Sequence, residues 1–220
     1  MIQVLIARHG NTFQPHDEPR RIGAKTDLPL VEHEKARAIG HFLKGHFKPT
    51  IVYCSPLLRT HQTATIALET AQLSTPIQLD NRFIEIDYGM DENAKECEVI
   101  QRLGEKALLD WNQNAVVPNG WQLDVEKARQ TWQTFFQELV THDKQQLLQK
   151  SALRVLVVTS NGIVRFAPSV LGTAPSPITS LKIKTGALSL FTFNEQWRCQ
   201  YWNTKPQAAA QFHELNLVDA

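Results

Sequence analysis

An Arg-His-Gly corner follows an apolar run near the start of the chain. Residues 4–7 read Val-Leu-Ile-Ala, and Arg8, His9 and Gly10 come directly after them. An apolar run that ends in a glycine-assisted turn predicts a buried strand whose carboxyl end carries both side chains, where open α/β sheets bind ligands. A neutral imidazole is a competent nucleophile toward phosphorus, and a guanidinium presents a planar set of donors to phosphate oxygens. The alternative is a strand end with two solvated polar residues.

A second corner of the same kind follows the short apolar run 51–53. Ser55 is suited to cap the next helix and Pro56 to its first turn, because neither loses an intrahelical hydrogen bond there. Arg59 then falls in the opening turn, beside amides that already favour anions. Cys54 and Arg59 form Cys-x4-Arg, one residue shorter than a thiolate-phosphatase loop, so Cys54 is interpreted as a small buried residue. Two such corners on neighbouring parallel strands can face one ligand.

Acidic side chains follow a third candidate strand at 77–79. Glu85 and Asp87 lie two residues apart just beyond it, and a carboxyl group at this place can serve as a general acid. An ordinary acidic loop is the alternative interpretation.

The polar segment 13–27 contains the cations Arg20, Arg21 and Lys25 and has the composition of a loop. A loop that returns over the strand end would bring these cations to an anionic ligand, and a second negative group on the substrate is then expected. A solvated basic turn explains the same composition equally well.

Composition limits the classes of protein to which the chain can belong. Its 220 residues suffice for one domain with a full core, and a net charge of +1 does not suggest a nucleic-acid surface. The start of the chain has no basic leader, and no apolar stretch approaches the roughly 18 residues that span a bilayer. Three scattered cysteines argue against a disulfide framework, so a cytoplasmic protein is predicted. Neither His-x-x-x-His nor Cys-x-x-Cys occurs, so no metal or other cofactor is expected.

Strand and helix patterns elsewhere order these corners along the chain. Residues 91–150 have an irregular helical pattern that breaks at 118–120, which predicts an inserted pair of helices forming a cap beside the site. The other patterns predict helices at 30–47 and 160–171 and strands at 153–159, 181–193 and 197–202.

The corners, taken in order, resemble the motifs of the histidine phosphatase superfamily, also called the phosphoglycerate mutase-like family. Residues 4–12 match its leading block of an apolar strand followed by Arg-His-Gly-x-Thr. Residues 55–64 match its block Ser-Pro-Leu-x-Arg-x-x-Gln-Thr-Ala, and residues 26–30 match Thr-Asp-Leu-Pro-Leu. Glu85 and Gly89 match an acidic block with Glu four residues before Gly.

This resemblance implies a three-layer α/β/α fold with a mostly parallel central sheet and a cap from the middle of the chain, in a single domain over residues 1–220. It implies that His9 attacks a phosphomonoester to give a phosphohistidine that water hydrolyses. Arg8 and Arg59 would clamp the phosphoryl oxygens, and Glu85 would donate a proton to the leaving alcohol and then take one from water. Asn11 would help to position the phosphoryl group. The implied partner is a small phosphorylated substrate, with neither nucleic acid nor membrane.

The chain departs from the family pattern in the block Thr-His-Gly-Gly-x-x-Arg. Residues 159–165 read Thr-Ser-Asn-Gly-Ile-Val-Arg, so Ser160 stands at the position of the family's histidine. A charged hydrogen bond exceeds a neutral one by about 1 kcal/mol or more, so this exchange would slow turnover by about one to two orders of magnitude. Ser160 and Asn161 lie at a helix start, whose amides can still bind an oxyanion. Two hypotheses follow: an active phosphomonoesterase, or a protein that binds phosphate compounds without useful turnover.

Overall fold

A computed structural model describes residues 1–145, 152–173 and 176–216 of the chain. Its six strands, β1 to β6, form one sheet and comprise Ile2–Arg8, Ile51–Cys54, Ile77–Leu79, Leu153–Thr159, Leu188–Phe193 and Trp197–Thr204. The order across the sheet is β3-β2-β4-β1-β5-β6. The first four strands are mutually parallel, whereas β5 and β6 run antiparallel to their neighbours. The predicted mostly parallel sheet is confirmed.

Helices cover both faces of this sheet. The described residues form seven α-helices, α1 to α7, at Glu34–His46, Leu58–Ala71, Glu96–Leu103, Glu105–Asn114, Val125–Gln145, Asn161–Val164 and Pro206–Asn216. Side chains alternate along β1, so Leu5 belongs to the core under α1, α2 and α7, while Val4 and Ile6 belong to the core that includes Trp132 and Phe136 of α5. This arrangement gives the three layers that the resemblance implied.

The starts of the first two helices differ from the prediction. Helix α1 begins at Glu34, because the amides of Leu30 and Val31 are hydrogen-bonded to Gln62 Oε1 and the Asn11 carbonyl instead. Helix α2 begins at Leu58 with extended Leu57 as its N-cap, so the prediction of Ser55 as the cap was wrong. Arg59 lies in the first turn, as predicted.

The later elements also differ from the pattern-based boundaries. The helix predicted for 160–171 stops after one turn at Val164, and a separate 3-10 turn follows at 167–170. Pro168 lacks the amide hydrogen that a continuous helix needs there. Residues 181–187 precede β5 as a loop, although the pattern predicted a strand from 181.

Three helices, and not a pair, lie between residues 91 and 145. Gly104 separates α3 from α4 with φ +79°, a backbone conformation that favours glycine. The remaining part of the predicted helical segment, 146–150, lies outside the described residues. The assignment of 91–150 as a cap on a single domain stays a prediction. In the described part of the chain, no helix is both long and apolar enough to span a bilayer.

Candidate active site

The two predicted corners lie at the carboxyl ends of β1 and β2, which are parallel but, contrary to the expectation, not neighbouring strands. The His9 amide donates to the Thr159 carbonyl over 3.1 Å, and the Ser55 amide donates to the Val158 carbonyl over 3.1 Å. These bonds hold the ends of β1 and β2 against the end of β4, which lies between them in the sheet. The residues that follow the three strands therefore surround one place.

Arg59 is fully buried beside this place and is held by the loop 13–27. Its Nη1 donates to the Thr26 carbonyl over 2.8 Å and its Nη2 to the Gly23 carbonyl over 3.1 Å, while its Nε has no hydrogen-bond partner. Thr63 Oγ1 accepts from the Gly10 amide over 3.0 Å and donates to the Arg59 carbonyl over 2.7 Å. Helix α2 and the first corner are thus fixed to each other.

Glu92 shapes the loop that supports Arg59. Its Oε1 accepts from the Gly23 amide, the Lys25 amide and Thr26 Oγ1 over 2.8, 3.2 and 2.7 Å, and its Oε2 accepts from the Tyr88 amide over 3.1 Å. Three of these donors belong to the returning loop, so one carboxylate ties that loop to the segment after β3. Sequence reasoning missed Glu92, because three of its four partners lie more than sixty residues earlier in the chain.

His9 is 3% exposed and its tautomer follows from its contacts. Nδ1 lies 2.7 Å from the Gly10 carbonyl oxygen, which can only accept, so Nδ1 carries the hydrogen and Nε2 keeps its lone pair. Burial, together with the charges of Arg8 and Arg59, holds the pKa of His9 well below 6.5. The imidazole is therefore neutral and nucleophilic near neutral pH.

Arg8 provides the second guanidinium of the site. Its Nη1 donates to the Ile183 carbonyl over 2.5 Å, and its buried Nε has no hydrogen-bond partner. Burial lowers the pKa of Arg8, the field of Glu85 opposes that shift, and the side chain keeps a positive charge at neutral pH.

Glu85 is buried at the same place, and its carboxylate orientation is set by three donors. Oε2 accepts from the Gly162 amide over 2.9 Å and from the Tyr88 hydroxyl over 3.4 Å, and Oε1 accepts from the Ile86 amide over 2.8 Å. A Cβ on residue 162 would overlap Glu85 Oε1, so only glycine allows this contact. Burial within reach of the charges of Arg8 and Arg59 distinguishes Glu85 from Asp87, which forms a 2.7 Å ion pair with Lys25.

Ser160 and Asn161 occupy the turn after β4. Ser160 is fully buried and its Oγ has no hydrogen-bond partner. Asn161 Oδ1 accepts from the Ile183 amide over 2.8 Å, which leaves its NH₂ group as the remaining donor. Helix α6 is a single turn and its Gly162 amide is already bonded to Glu85, so that amide is not free for an oxyanion as the sequence suggested.

Asn11 follows the first corner, and its amide orientation is fixed by Lys35 of α1. Lys35 Nζ and Thr185 Oγ1 each donate to Asn11 Oδ1 over 2.7 Å. Because an ammonium only donates, the amide oxygen faces Lys35 and the NH₂ group faces away from it. Lys35 lies close enough to lower the pKa of His9, and no motif in the sequence pointed to it.

Arg165 is a further buried cation, which the sequence analysis quoted only as the last residue of a block. It is 2% exposed, donates from Nε to the Gly162 carbonyl over 3.2 Å, and stacks 3.5 Å from the centre of the Trp111 ring. Burial lowers its pKa to about 10, and its Nη2 has no hydrogen-bond partner. Arg165 also feels the charges of Glu85 and Arg8, so it belongs to the same electrostatic environment.

The three cations of the loop 13–27 differ in their surroundings. Arg21 pairs with Glu96 and Lys25 with Asp87, while Arg20 donates to a backbone carbonyl at the surface. Arg20 and Lys25 therefore fit the solvated basic turn. Arg21 does not, because its side chain is 14% exposed, its Nε is buried without a hydrogen-bond partner, and its charge acts on Arg8 and Arg165.

Two rival chemistries find no support in the geometry. Cys54 is fully buried, and burial raises the pKa of its thiol to about 12, as expected for a small buried residue and not for a thiolate nucleophile. Among the described residues, no group of three or more His, Cys, Asp or Glu side chains is arranged to hold a metal ion.

Ser160→Ala should raise the melting temperature and weaken the binding of inorganic phosphate about three- to tenfold. A buried hydroxyl without a hydrogen-bond partner destabilises the free protein, so its removal should stabilise it. The variant also loses a hydrogen-bond donor for a bound anion. Ser189→Ala is the matched control, because Ser189 is equally buried but accepts from the Asn203 amide over 3.1 Å. It should lower the melting temperature and leave phosphate affinity unchanged. Equal phosphate affinity in wild type and Ser160→Ala would place Ser160 outside the site.

Comparisons with solved structures agree with this fold. A mycobacterial glucosyl-3-phosphoglycerate phosphatase is 19% identical and superposes with a TM-score of 0.73 over 93% of this chain and 100% of its own. A phosphoglycerate mutase from Bacillus anthracis is 16% identical, with a TM-score of 0.75 over 97% and 96% of the two chains. The alpha-ribazole phosphatase from Shigella flexneri is 19% identical, with a TM-score of 0.66 over 92% and 96%.

Sequence comparison points the same way. A 2,3-bisphosphoglycerate-dependent phosphoglycerate mutase from Bifidobacterium longum is 30% identical over 120 residues, which are 53% of this chain and 48% of the relative. The alignment thus covers about half the length of the curated relative. The family profile described as histidine phosphatase superfamily (branch 1) matches residues 4–205. This match extends over nearly the whole chain, from the first corner to the residue before α7, and the chain belongs to the histidine phosphatase superfamily.

Proposed function

We propose that the protein hydrolyses a small phosphomonoester through a phosphohistidine intermediate on His9. The observation that carries the proposal is a buried neutral imidazole with Nε2 unprotonated, in the field of the half-buried guanidinium of Arg8 and the fully buried guanidinium of Arg59. A nucleophile with fixed cations beside it matches the requirement of phosphoryl transfer, in which positioning and charge stabilisation supply most of the catalysis.

The charge balance of the site supports an anionic substrate. Arg8, Arg59 and Arg165 contribute three positive charges, and Glu85 is the buried carboxyl group that acts on all three, while Glu92 and the exposed Asp27 act on Arg59 alone among them. Buried charge without compensation is costly, and a phosphomonoester dianion would offset the excess. Arg8 Nε, Arg59 Nε and Arg165 Nη2 are buried donors without partners, which a phosphoryl group would satisfy.

The proposed reaction has two displacements. His9 Nε2 attacks phosphorus and forms a P–N bond while the bond from phosphorus to the alcohol oxygen breaks, and protonated Glu85 gives that oxygen its proton. Water then attacks the phosphohistidine, the P–N bond breaks with its electron pair returning to Nε2, and Glu85 takes a proton from the water. Arg8 and Arg59 hold the equatorial oxygens in both steps.

Asn11, Ser160 and Asn161 are assigned to phosphate binding. Both asparagines have the amide oxygen committed to protein donors, so their NH₂ groups are the donors that remain. The proposal requires no cofactor, no nucleic acid and no membrane, and it includes the predicted cytoplasmic location.

Hydrolysis is proposed in preference to mutase activity, although curated relatives are named as phosphoglycerate mutases. A bisphosphate-dependent mutase must hold two phosphoryl groups firmly, and Ser160 supplies no charge where the family pattern has an imidazole. The same substitution favours the second candidate, a protein that binds phosphate compounds with little turnover.

Phosphate release from a panel of small phosphomonoesters separates the two candidates. The proposal predicts release by the wild-type protein and faster release by Ser160→His. If neither protein releases phosphate but phosphate compounds raise the melting temperature, hydrolysis is contradicted and the second candidate, a phosphate-binding protein, is supported. If the wild-type protein releases no phosphate and Ser160→His does, the missing imidazole alone accounts for the lack of hydrolysis in the wild type.

A further inference from the structure

A separate cavity of about 310 Å³ lies beside the catalytic loop, on the side of α1 and α7. Its walls bring together residues from three parts of the chain: helix α1, the loop before β5, and the segment from the end of β6 to the start of α7. The charged side chains that line it are Glu34, Lys35, Lys184 and Lys205. None of the sequence motifs includes the three lysines, and none of the proposed reaction steps uses them.

The cavity has an excess of positive charge. Glu34 is its carboxylate, and that side chain faces Arg37 at 3.3 Å. Within the described residues, Lys35, Lys184 and Lys205 form no ion pair. The half-buried ammonium of Lys35 contacts two neutral oxygens, Asn11 Oδ1 and Thr185 Oγ1.

Lys205 repels the half-buried Lys35 in the free protein. Burial lowers the pKa of Lys35, and the charges of Arg8 and Lys205 lower it further, while Glu32 opposes the shift. Glu32 is itself occupied, because its two carboxylate oxygens accept from the backbone amides of Asn11, Glu34 and Lys35. An anion between Lys35 and Lys205 would relieve the repulsion.

We infer that this cavity binds the phosphate group of a small molecule on the ammonium groups of Lys35, Lys184 and Lys205. Ammonium groups bind phosphate as point charges and need no planar geometry. A cavity of about 310 Å³ is at the small end of ligand pockets and suits a compact metabolite. The inference goes beyond the proposed hydrolysis and does not depend on it.

Occupancy of the cavity would reach the catalytic loop through Lys35. The same ammonium fixes the Asn11 amide, which follows His9 and Gly10 in the first corner. A phosphate in the cavity would draw the Lys35 ammonium toward itself and weaken that hydrogen bond. The cavity is thus placed to couple a second anion to the orientation of Asn11.

Residue-resolved NMR with inorganic phosphate as the probe tests the inference on the full chain. Two sets of amide signals are expected to shift as phosphate is added, and each set should have its own midpoint phosphate concentration. One set reports the active site at Gly10 and Gly162, and the other reports the cavity at Asn203 and Gln207, which line it. The Asn11 side-chain NH₂ signals should follow the cavity midpoint as well.

A double variant locates the second site. Lys184→Met with Lys205→Met should raise the midpoint phosphate concentration of the cavity signals at least tenfold and leave the midpoint of the active-site signals unchanged. The matched control removes two exposed cations elsewhere, Lys144→Met with Arg198→Met, and should retain both sets. Cavity amides that do not shift, or that shift equally in the double variant, would overturn the inference. Cavity shifts without active-site shifts would support it and contradict the proposed function.

Discussion

Replacing His9 with alanine is expected to reduce phosphate release by at least about three orders of magnitude, because the nucleophile is lost. The effect should appear in kcat, since Arg8 and Arg59 still bind the phosphoryl group. The fully buried Arg59 is held by the carbonyls of Thr26 and Gly23, and neither contact involves His9. Inorganic phosphate should therefore still raise the melting temperature of His9→Ala.

His61→Ala is the matched control for this experiment. His61 is an exposed histidine on α2, and its removal should leave kcat and KM unchanged. Release by His9→Ala at more than a tenth of the wild-type rate would mean that another group, or water itself, attacks phosphorus. That result would remove the phosphohistidine from the mechanism and leave the fold assignment untouched.

Gly162→Ala is expected to lower kcat about a hundredfold. The new Cβ would overlap Glu85 Oε1, so the carboxylate must move away from the leaving group, and displacements of about 1 Å at a reacting group have effects of this size. Inorganic phosphate should still bind, because Arg8 and Arg59 do not contact Gly162. The measurement is kcat against phosphate affinity on the same preparation.

Gly45→Ala tests whether the effect is specific. Gly45 lies in α1, and an added Cβ would meet nothing within 4 Å, so this variant should be fully active and more stable by about 1 kcal/mol. Glu85→Gln provides the second comparison, because Gly162→Ala should add little to the loss that Glu85→Gln already causes. Additive losses in the double variant would show that Gly162 acts other than through Glu85.

Sequence patterns predicted the part of the site that is built locally. The apolar run before Arg8 and His9 lies in a buried strand, as expected for the composition of a sheet that is covered on both faces. Strand β4 has the same composition and ends at Thr159, beside the end of β1. Parallel strands place their carboxyl ends together, so the corners after them converge. The sequence did not separate Glu85 from an ordinary acidic loop, because Asp87 follows the same strand and is paired with Lys25 instead.

Boundaries set by single residues were less predictable. Pro168 stops the helix that the apolar run after Ser160 suggested, and Gly104 divides the helix that was predicted before the break at 118–120. Residues 181–187 have the apolar content of a strand, yet Ile183 uses its backbone carbonyl for Arg8 and its amide for Asn161. Tertiary contacts of this kind override local propensity.

The supporting groups could not have been predicted, because each acts across a long separation in sequence. Lys35 reaches Asn11 and Thr185, Glu92 gathers a loop that lies far earlier in the chain, and Arg165 joins α4 to the turn after β4. Their residue types are ordinary for exposed helix and loop positions. Only the three-dimensional arrangement brings them to the site.

Trapping the intermediate is the most direct test of the central claim. The enzyme is mixed with a phosphomonoester that it hydrolyses, the reaction is quenched at alkaline pH within a turnover, and phosphorylated peptides are identified by mass spectrometry. The account predicts a phosphoryl group on the imidazole of His9, formed before phosphate is released and absent from His9→Ala. Phosphate release without a phosphoryl group on His9, or with the phosphoryl group on another residue such as Cys54, would contradict the account.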